Sequence, residues 1–134
     1  MRTIKFRGKN LHNGKWVCGY LSDVDSTPIG KVGIINSKPF SGCEESTMVI
    51  AETIGQFTGV FDCEGREIYE GEILSACYGH SPNIIEVTGV VEFVHCGFAL
   101  RFGKDTGVWL DQLIHAEIIG NIYDNPELLK GGEK

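Results

Sequence analysis

The sequence predicts a mainly β fold with small α content. Its short antiparallel strands form a bent sheet or small barrel, followed by a short C-terminal helical turn. Three observations carry this reading. Eighteen glycines in 134 residues, with few helix-favouring runs, mark frequent turns between short strands. Apolar and polar residues alternate over short segments instead of recurring at helical spacing. Turn-forming pairs such as Asn13-Gly14 separate those segments.

The elements follow in chain order. Ile4 and Phe6 face one way and Thr3, Lys5 and Arg7 the other, a half-buried strand. A second strand starts at Lys15 and runs through Trp16 to Leu21, and the Asn13-Gly14 pair between them supplies the positive φ angles of a hairpin turn. From Ser22 to Glu45 the chain is punctuated by Pro28, Gly30, Gly33, Pro39 and Gly42. Only Val32 to Ile35 reads there as a strand, with Thr47 to Thr53 as another candidate. A long loop or variable insertion is expected around 22–52, within one domain spanning 1–134.

Ile54 to Thr58 is expected to pair with Glu67 to Tyr69 across Asp62-Cys63-Glu64-Gly65. Gly71 marks a bend before a strand from Ile73 to Tyr78, and residues 79–83 form a loop. The apolar run from Ile84 to Val94 reads as a strand broken near Gly89, turned by His95-Cys96-Gly97 into Phe98 to Phe102. Asp111 to Glu117 is a weak helical candidate, and Ile118 to Tyr123 is the final strand. Asn125 suits an N-cap, Pro126 the first helical position and Glu127 the positive end of a helix dipole.

Composition bounds the function. A 42% hydrophobic and 22% charged chain is globular. No apolar run reaches the roughly 20 residues of a membrane-spanning helix, and Met1-Arg2-Thr3 opens no signal-peptide core, so a soluble intracellular protein is expected. The net charge of −6 weighs against broad binding to nucleic-acid phosphates. The five cysteines (Cys18, Cys43, Cys63, Cys77 and Cys96) form an odd set, which reads as reduced and mostly buried thiols rather than a disulfide framework.

Candidate chemistry is weighed against blander readings. Glu67, Glu70 and Glu72 crowd around Gly71. Glu70 and Glu72 would share a strand face, as an acid/base pair or cation ligands require, but no histidine or aspartate is close in sequence. Carboxylates facing water beside a bent strand are the favoured alternative. Cys77-Tyr78-Gly79-His80 has a zinc-like spacing that His95-Cys96 would complete, although adjacent ligands on a strand point to opposite faces. Cys63 has acidic neighbours that disfavour a thiolate nucleophile. No phosphate-binding glycine loop is present, and no cofactor is expected. Finally, Lys5, Arg7, Lys9 and Lys15 with Trp16 place cations beside an aromatic ring, as single-stranded nucleic-acid binders do. The same pattern fits a solvated strand face with Trp16 in the core.

Three blocks carry a family resemblance: Ile4-Lys5-Phe6-Arg7; Gly55 to Gly59 running into Glu67 to Leu74; and Ile119 to Leu129, which reads Ile-Gly-Asn-Ile-Tyr-Asp-Asn-Pro-Glu-Leu-Leu. In this order the chain resembles the YopX family of small phage and prophage proteins. It departs at Gly8-Lys9, where the family often has Ala-Trp, and at Glu72, where Asp is frequent. The resemblance implies a β-rich fold, expression in a bacterial cytoplasm from a phage or prophage, and assembly into homo-oligomers; a host or phage protein is the other partner to expect of an interaction module. It brings no established reaction and no catalytic residues. Its motif residues, Gly55, Gly59, Gly65, Gly71, Gly120, Asn125 and Pro126, are ones that local physics assigns to turns, bends and a helix cap. The expected function is therefore a non-catalytic interaction protein, with a nucleic-acid-binding barrel as the alternative and a metal-dependent hydrolase behind it.

Overall fold

A computed structural model describes residues 4–27, 30–36, 46–104 and 106–132. The chain divides into two compact units, Met1–Phe57 and Thr58–Lys134.

In the first unit, β1 (Phe6–Lys9), β2 (Trp16–Thr27), β3 (Gly30–Asn36) and β4 (Ser46–Ile50) lie in the order β4-β3-β2-β1, and β5 (Gly55–Phe61) begins beside β1. All pairings are antiparallel. Residues 22–52, where a long loop or insertion was expected around strands at Val32–Ile35 and Thr47–Thr53, hold those strands as β3 and β4, together with the second half of β2 and a 3-10 turn at Ala51–Thr53. The part of that expectation on residues 28–29 and 37–45 lies outside the described residues. Val32, Ile35, Val49 and Phe57 are buried. Because β1 crosses Val49 closely, a Cβ on Gly8 would stand 2.8 Å from Val49 Cγ2.

The β1–β2 hairpin forms as expected, with a different turn. Gly14 alone takes a positive φ, of 70°. The loop closes through Asn10 N–H to Lys15 O (2.8 Å) and Gly14 N–H to Asn10 O (3.0 Å). Asn10 Oδ1 also accepts from His12 N–H at 2.8 Å, which makes a wider loop than a two-residue turn.

In the second unit, the end of β5 neighbours β6 (Glu67–Tyr69). Five further strands, β7 (Glu72–His80), β8 (Asn83–Val94), β9 (Gly97–Arg101), β10 (Gly107–Trp109) and β11 (Leu113–Asn121), form a sheet in the order β10-β9-β8-β7-β11. β8 runs unbroken past Gly89, and the segment expected to be helical contains only a 3-10 turn, Leu110–Gln112, before β11. The helix α1, Glu127–Gly132, is the expected C-terminal element.

Ile68, Leu74, Ala76, Val91, Leu100 and Leu110 form the core of this unit. Removing the isoleucine, leucine and valine side chains from water stabilises by about 1.5–3 kcal/mol each. The fold is β-rich and antiparallel, but neither strand order returns on itself. The barrel expectation is thus corrected to open sheets. Closure needs paired first and last strands, whereas β6 and β10, at two of the edges, are only three residues each.

Candidate functional site

The basic–aromatic cluster at the N-terminus assembles, with its cations turned onto its own rings. Lys5 Nζ lies 5.5 Å from the Phe57 ring centroid. The Arg7 guanidinium carbon sits 4.1 Å from the Trp16 centroid, and Lys9 Nζ sits 5.7 Å from it. The register explains this: Arg7 opposes Cys18 and Lys9 opposes Trp16, so all four project from one face. Arg7 is only 9% exposed, and Lys15 is exposed in the loop. A guanidinium already seated on Trp16 leaves less of that ring for a base.

The carboxylates do not form an acid/base pair on one strand face. Gly71, at φ 88°, lies in the turn between β6 and β7, so Glu70 belongs to that turn while Glu72 begins β7. Glu72 is buried, contrary to the expectation that it faces water. Its Oε1 accepts the Tyr69 N–H at 2.7 Å and clamps the turn. Glu67 Oε1 accepts the Tyr69 hydroxyl at 3.0 Å. These are turn-holding contacts.

Cys77 and His80 lie near the turn between β7 and β8, whereas His95 and Cys96 lie at the other end of β8. A strand of that length separates the two pairs by on the order of 30 Å, too far to share one ion. Among the described residues no three His, Cys, Asp or Glu side chains converge in a metal-binding group. The described cysteines form no disulfide, but Cys18, Cys63 and Cys96 are exposed and Cys77 half-buried, so the expected burial is corrected for them. Cys63 and Cys96 lie in turns, and Cys18 shares the Arg7–Lys9–Trp16 face of β2, so none of these three enters the core. Cys43 lies outside the described residues.

Among the motif glycines, Gly65 and Gly71 lie in turns, whereas Gly55 and Gly59 belong to β5 and Gly120 to β11. Gly59, Gly65 and Gly71 take φ of 86°, 82° and 88°, conformations favouring residues without a Cβ. Gly55 is buried opposite Arg7. Asn125 does something other than cap α1. Its Oδ1 accepts the Asn121 N–H at 3.3 Å, and a Cβ on Gly120 would come 2.7 Å from that oxygen. The Asn121 side chain in turn accepts from Tyr123 N–H (3.0 Å) and Asp124 N–H (2.9 Å). Pro126 follows this knot and leads into the helix.

Sequence reasoning missed three features of the second unit. Asp62 belongs to the Asp62–Gly65 turn that the sequence predicts, yet its side chain is fully buried. Oδ1 accepts from Glu64 N–H (2.9 Å) and Arg66 N–H (2.8 Å), and Oδ2 from Arg66 Nε (3.0 Å) and Ile118 N–H (3.3 Å). Burial acts to raise the Asp62 pKa, but these hydrogen bonds outweigh it and hold the carboxyl below its ordinary value. The second feature is the tip of the β7–β8 hairpin. β11 stops pairing at Tyr78 and β9 reaches β8 only from Val90 onward, so the tip has no flanking strand among the described residues. There Ile84 and Ile85 are 51% and 50% exposed.

The third is a cleft of about 500 Å³ on the β8–β9–β10 face, bounded by Trp109, Arg101, Glu92 and His95. The signal for it lay in Phe98 to Phe102, where Arg101 alternates away from the core, but the three-residue β10 gave no pattern to read.

Similarity to known proteins fits this picture of a motif-rich β fold. No curated protein matches the sequence. The crystal structure of protein EF1440 from Enterococcus faecalis is similar, with a TM-score of 0.52 and 23% identity over 96% of this chain and 99% of that one, which shows a shared fold. The family model described as YopX protein matches residues 5–130, a span holding the second and third signature blocks and all of the first but Ile4, and the chain belongs to the YopX family.

Proposed function

We propose that this protein is a non-catalytic interaction module of phage or prophage type, acting in a bacterial cytoplasm and associating with a second copy of itself through the β7–β8 hairpin. The observation that carries this reading is the unflanked hairpin tip. An isolated two-stranded ribbon is marginal in water, and this one displays adjacent isoleucines, Ile84 and Ile85, half exposed on its two faces. The β8 edge from Asn83 to Thr88 also lacks a strand partner among the described residues, which is a template for pairing.

A second copy suits this surface better than an unrelated strand. The same edge on two chains meets antiparallel about a twofold axis, each supplying the donors and acceptors the other needs. Glu86 is the one charged residue in Asn83–Thr88, so registers that place it opposite its own copy are disfavoured. Burying what remains exposed of both isoleucines on each chain contributes at most about 1 kcal/mol per side chain. Light scattering on a sizing column tests the reading. The wild-type chain is expected to elute as a dimer or larger at micromolar concentration, and Ile84→Lys with Ile85→Lys as a folded monomer. A monomeric wild type overturns it.

A further inference from the structure

We propose that the Trp109–Arg101 cleft binds an unpaired guanine base, stacked on the indole with its edge bonded to the guanidinium. This site is separate from the hairpin and does not depend on self-association. The register builds it. Glu92 opposes Ala99, Ala99 opposes Trp109, and Gly107 opposes Arg101, so Glu92, Arg101 and Trp109 rise from one face of β8–β9–β10. Between the tall side chains the floor is made of Ala99 and Gly107. Trp109 and Arg101 are diagonal neighbours, a spacing of about 7–8 Å, which lets a planar ring lie on the indole with its edge toward the guanidinium.

The side chains are arranged to receive such a ring. Trp109 is 43% exposed. Its six-membered ring lies against Gly97, where an added Cβ would come 3.2 Å from Cζ3, so the indole is positioned yet uncovered. Among the described residues it has no ring or cation partner, unlike Trp16. Arg101 is fixed by one bond, Nε to Glu92 Oε1 at 2.8 Å. That leaves both terminal nitrogens, a fork matching the O6 and N7 acceptors of guanine. Adenine turns an amino donor toward the same fork and is disfavoured. His95, at the rim, holds a φ of 58°, a left-handed conformation at a turn position where glycine is the unstrained choice.

The charge balance favours a base over a phosphate as the recognised group. Glu92 neutralises Arg101 within the cleft and the chain carries −6 overall, so phosphates gain little here. Binding should therefore depend only weakly on salt. The base reaches the cleft either in a free nucleotide or as an unpaired residue of a single strand, and the test separates the two.

Calorimetric titration of the full chain with GMP, AMP and CMP, and with a short single-stranded oligothymidine carrying one guanine, provides that test at low and moderate salt. GMP is expected to bind at least tenfold more tightly than AMP or CMP, with little change between the two salt conditions. Trp109→Ala should weaken binding about 5- to 150-fold, the range for loss of one stacking interaction, and Trp109→Phe should recover part of it. Arg101→Met should abolish the preference for guanine. Equal affinity for GMP and the oligonucleotide assigns the free nucleotide, while tenfold tighter binding of the oligonucleotide assigns the single strand. Absence of GMP binding at millimolar concentration, binding unchanged in both Trp109→Ala and Arg101→Met, or a steep salt dependence would overturn the proposal.

Discussion

The ring of Tyr123 lies over Gly71, so closely that a Cβ on the glycine would stand 3.1 Å from Tyr123 Cε2. The contact joins two family blocks far apart in sequence, the Glu-Gly-Glu turn and the Gly-Asn-Ile-Tyr-Asp-Asn-Pro tail. Backbone bonds on either side lock it: Gly71 N–H to Val91 O and Ile122 N–H to Gly71 O, both 2.9 Å. The two blocks are one structural device.

Gly71→Ala should therefore be costly for two reasons, the positive φ and the contact with Tyr123. Together these amount to about 2–4 kcal/mol. Gly59 has a similar φ of 86° with nothing within 4 Å of an added Cβ, so Gly59→Ala should lose only about 1 kcal/mol. Urea unfolding of both variants checks the difference, and equal losses would show that Tyr123 adds nothing.

Asp62 makes stability pH-dependent. Its folded pKa lies below its ordinary value, so between those two values the unfolded chain binds more protons and stability rises with pH. The contribution is complete above the unfolded value of about 3.9 and is lost as pH falls through the folded pKa. Asp62→Asn removes an acceptor for buried N–H groups and should lower stability near neutral pH by about 1–3 kcal/mol. It should also flatten the acid limb below about pH 4. Urea midpoints for the two chains across pH 2.5–7 measure both effects, and parallel curves would rule Asp62 out as the titrating group.

How far the sequence carried depended on the range of the interactions involved. The β-rich class, the first hairpin and the Asp62–Gly65 turn rest on alternation and glycine placement, which are local, and these were legible. The cores of β3 and β4 were legible at Val32–Ile35 and from Thr47, but the long reach of β2 was hidden because prolines and glycines there looked like loop punctuation, while pairing between distant strands overrode that local signal. β10 and the start of β11 were missed for a similar reason. Leu110 enters the core from a single 3-10 turn, and no periodicity announces it. At the candidate sites, the partners of the side chains were not legible. Glu72 folds back onto Tyr69, Asn125 onto Asn121, and Asp62 reaches Ile118, 56 positions away. Trp109 and Arg101 meet only through the β9–β10 register.

The Arg7–Trp16 pair supplies a further prediction. With the guanidinium carbon 4.1 Å from the ring centroid and Arg7 largely buried, the interaction is partly desolvated. Such cation–π contacts contribute about 0.5–2 kcal/mol. A double-mutant cycle of Arg7→Met and Trp16→Leu isolates the pair from the packing each side chain makes alone. The coupling energy should be favourable and of that size. It should also persist at high salt, because burial shields the pair from screening ions. Arg7→Lys should recover little of the coupling, since an ammonium cannot stack flat on the indole. A coupling energy of zero would mean that Arg7 and Trp16 merely share a face of β1 and β2, and would restore the indole as a surface open to other partners.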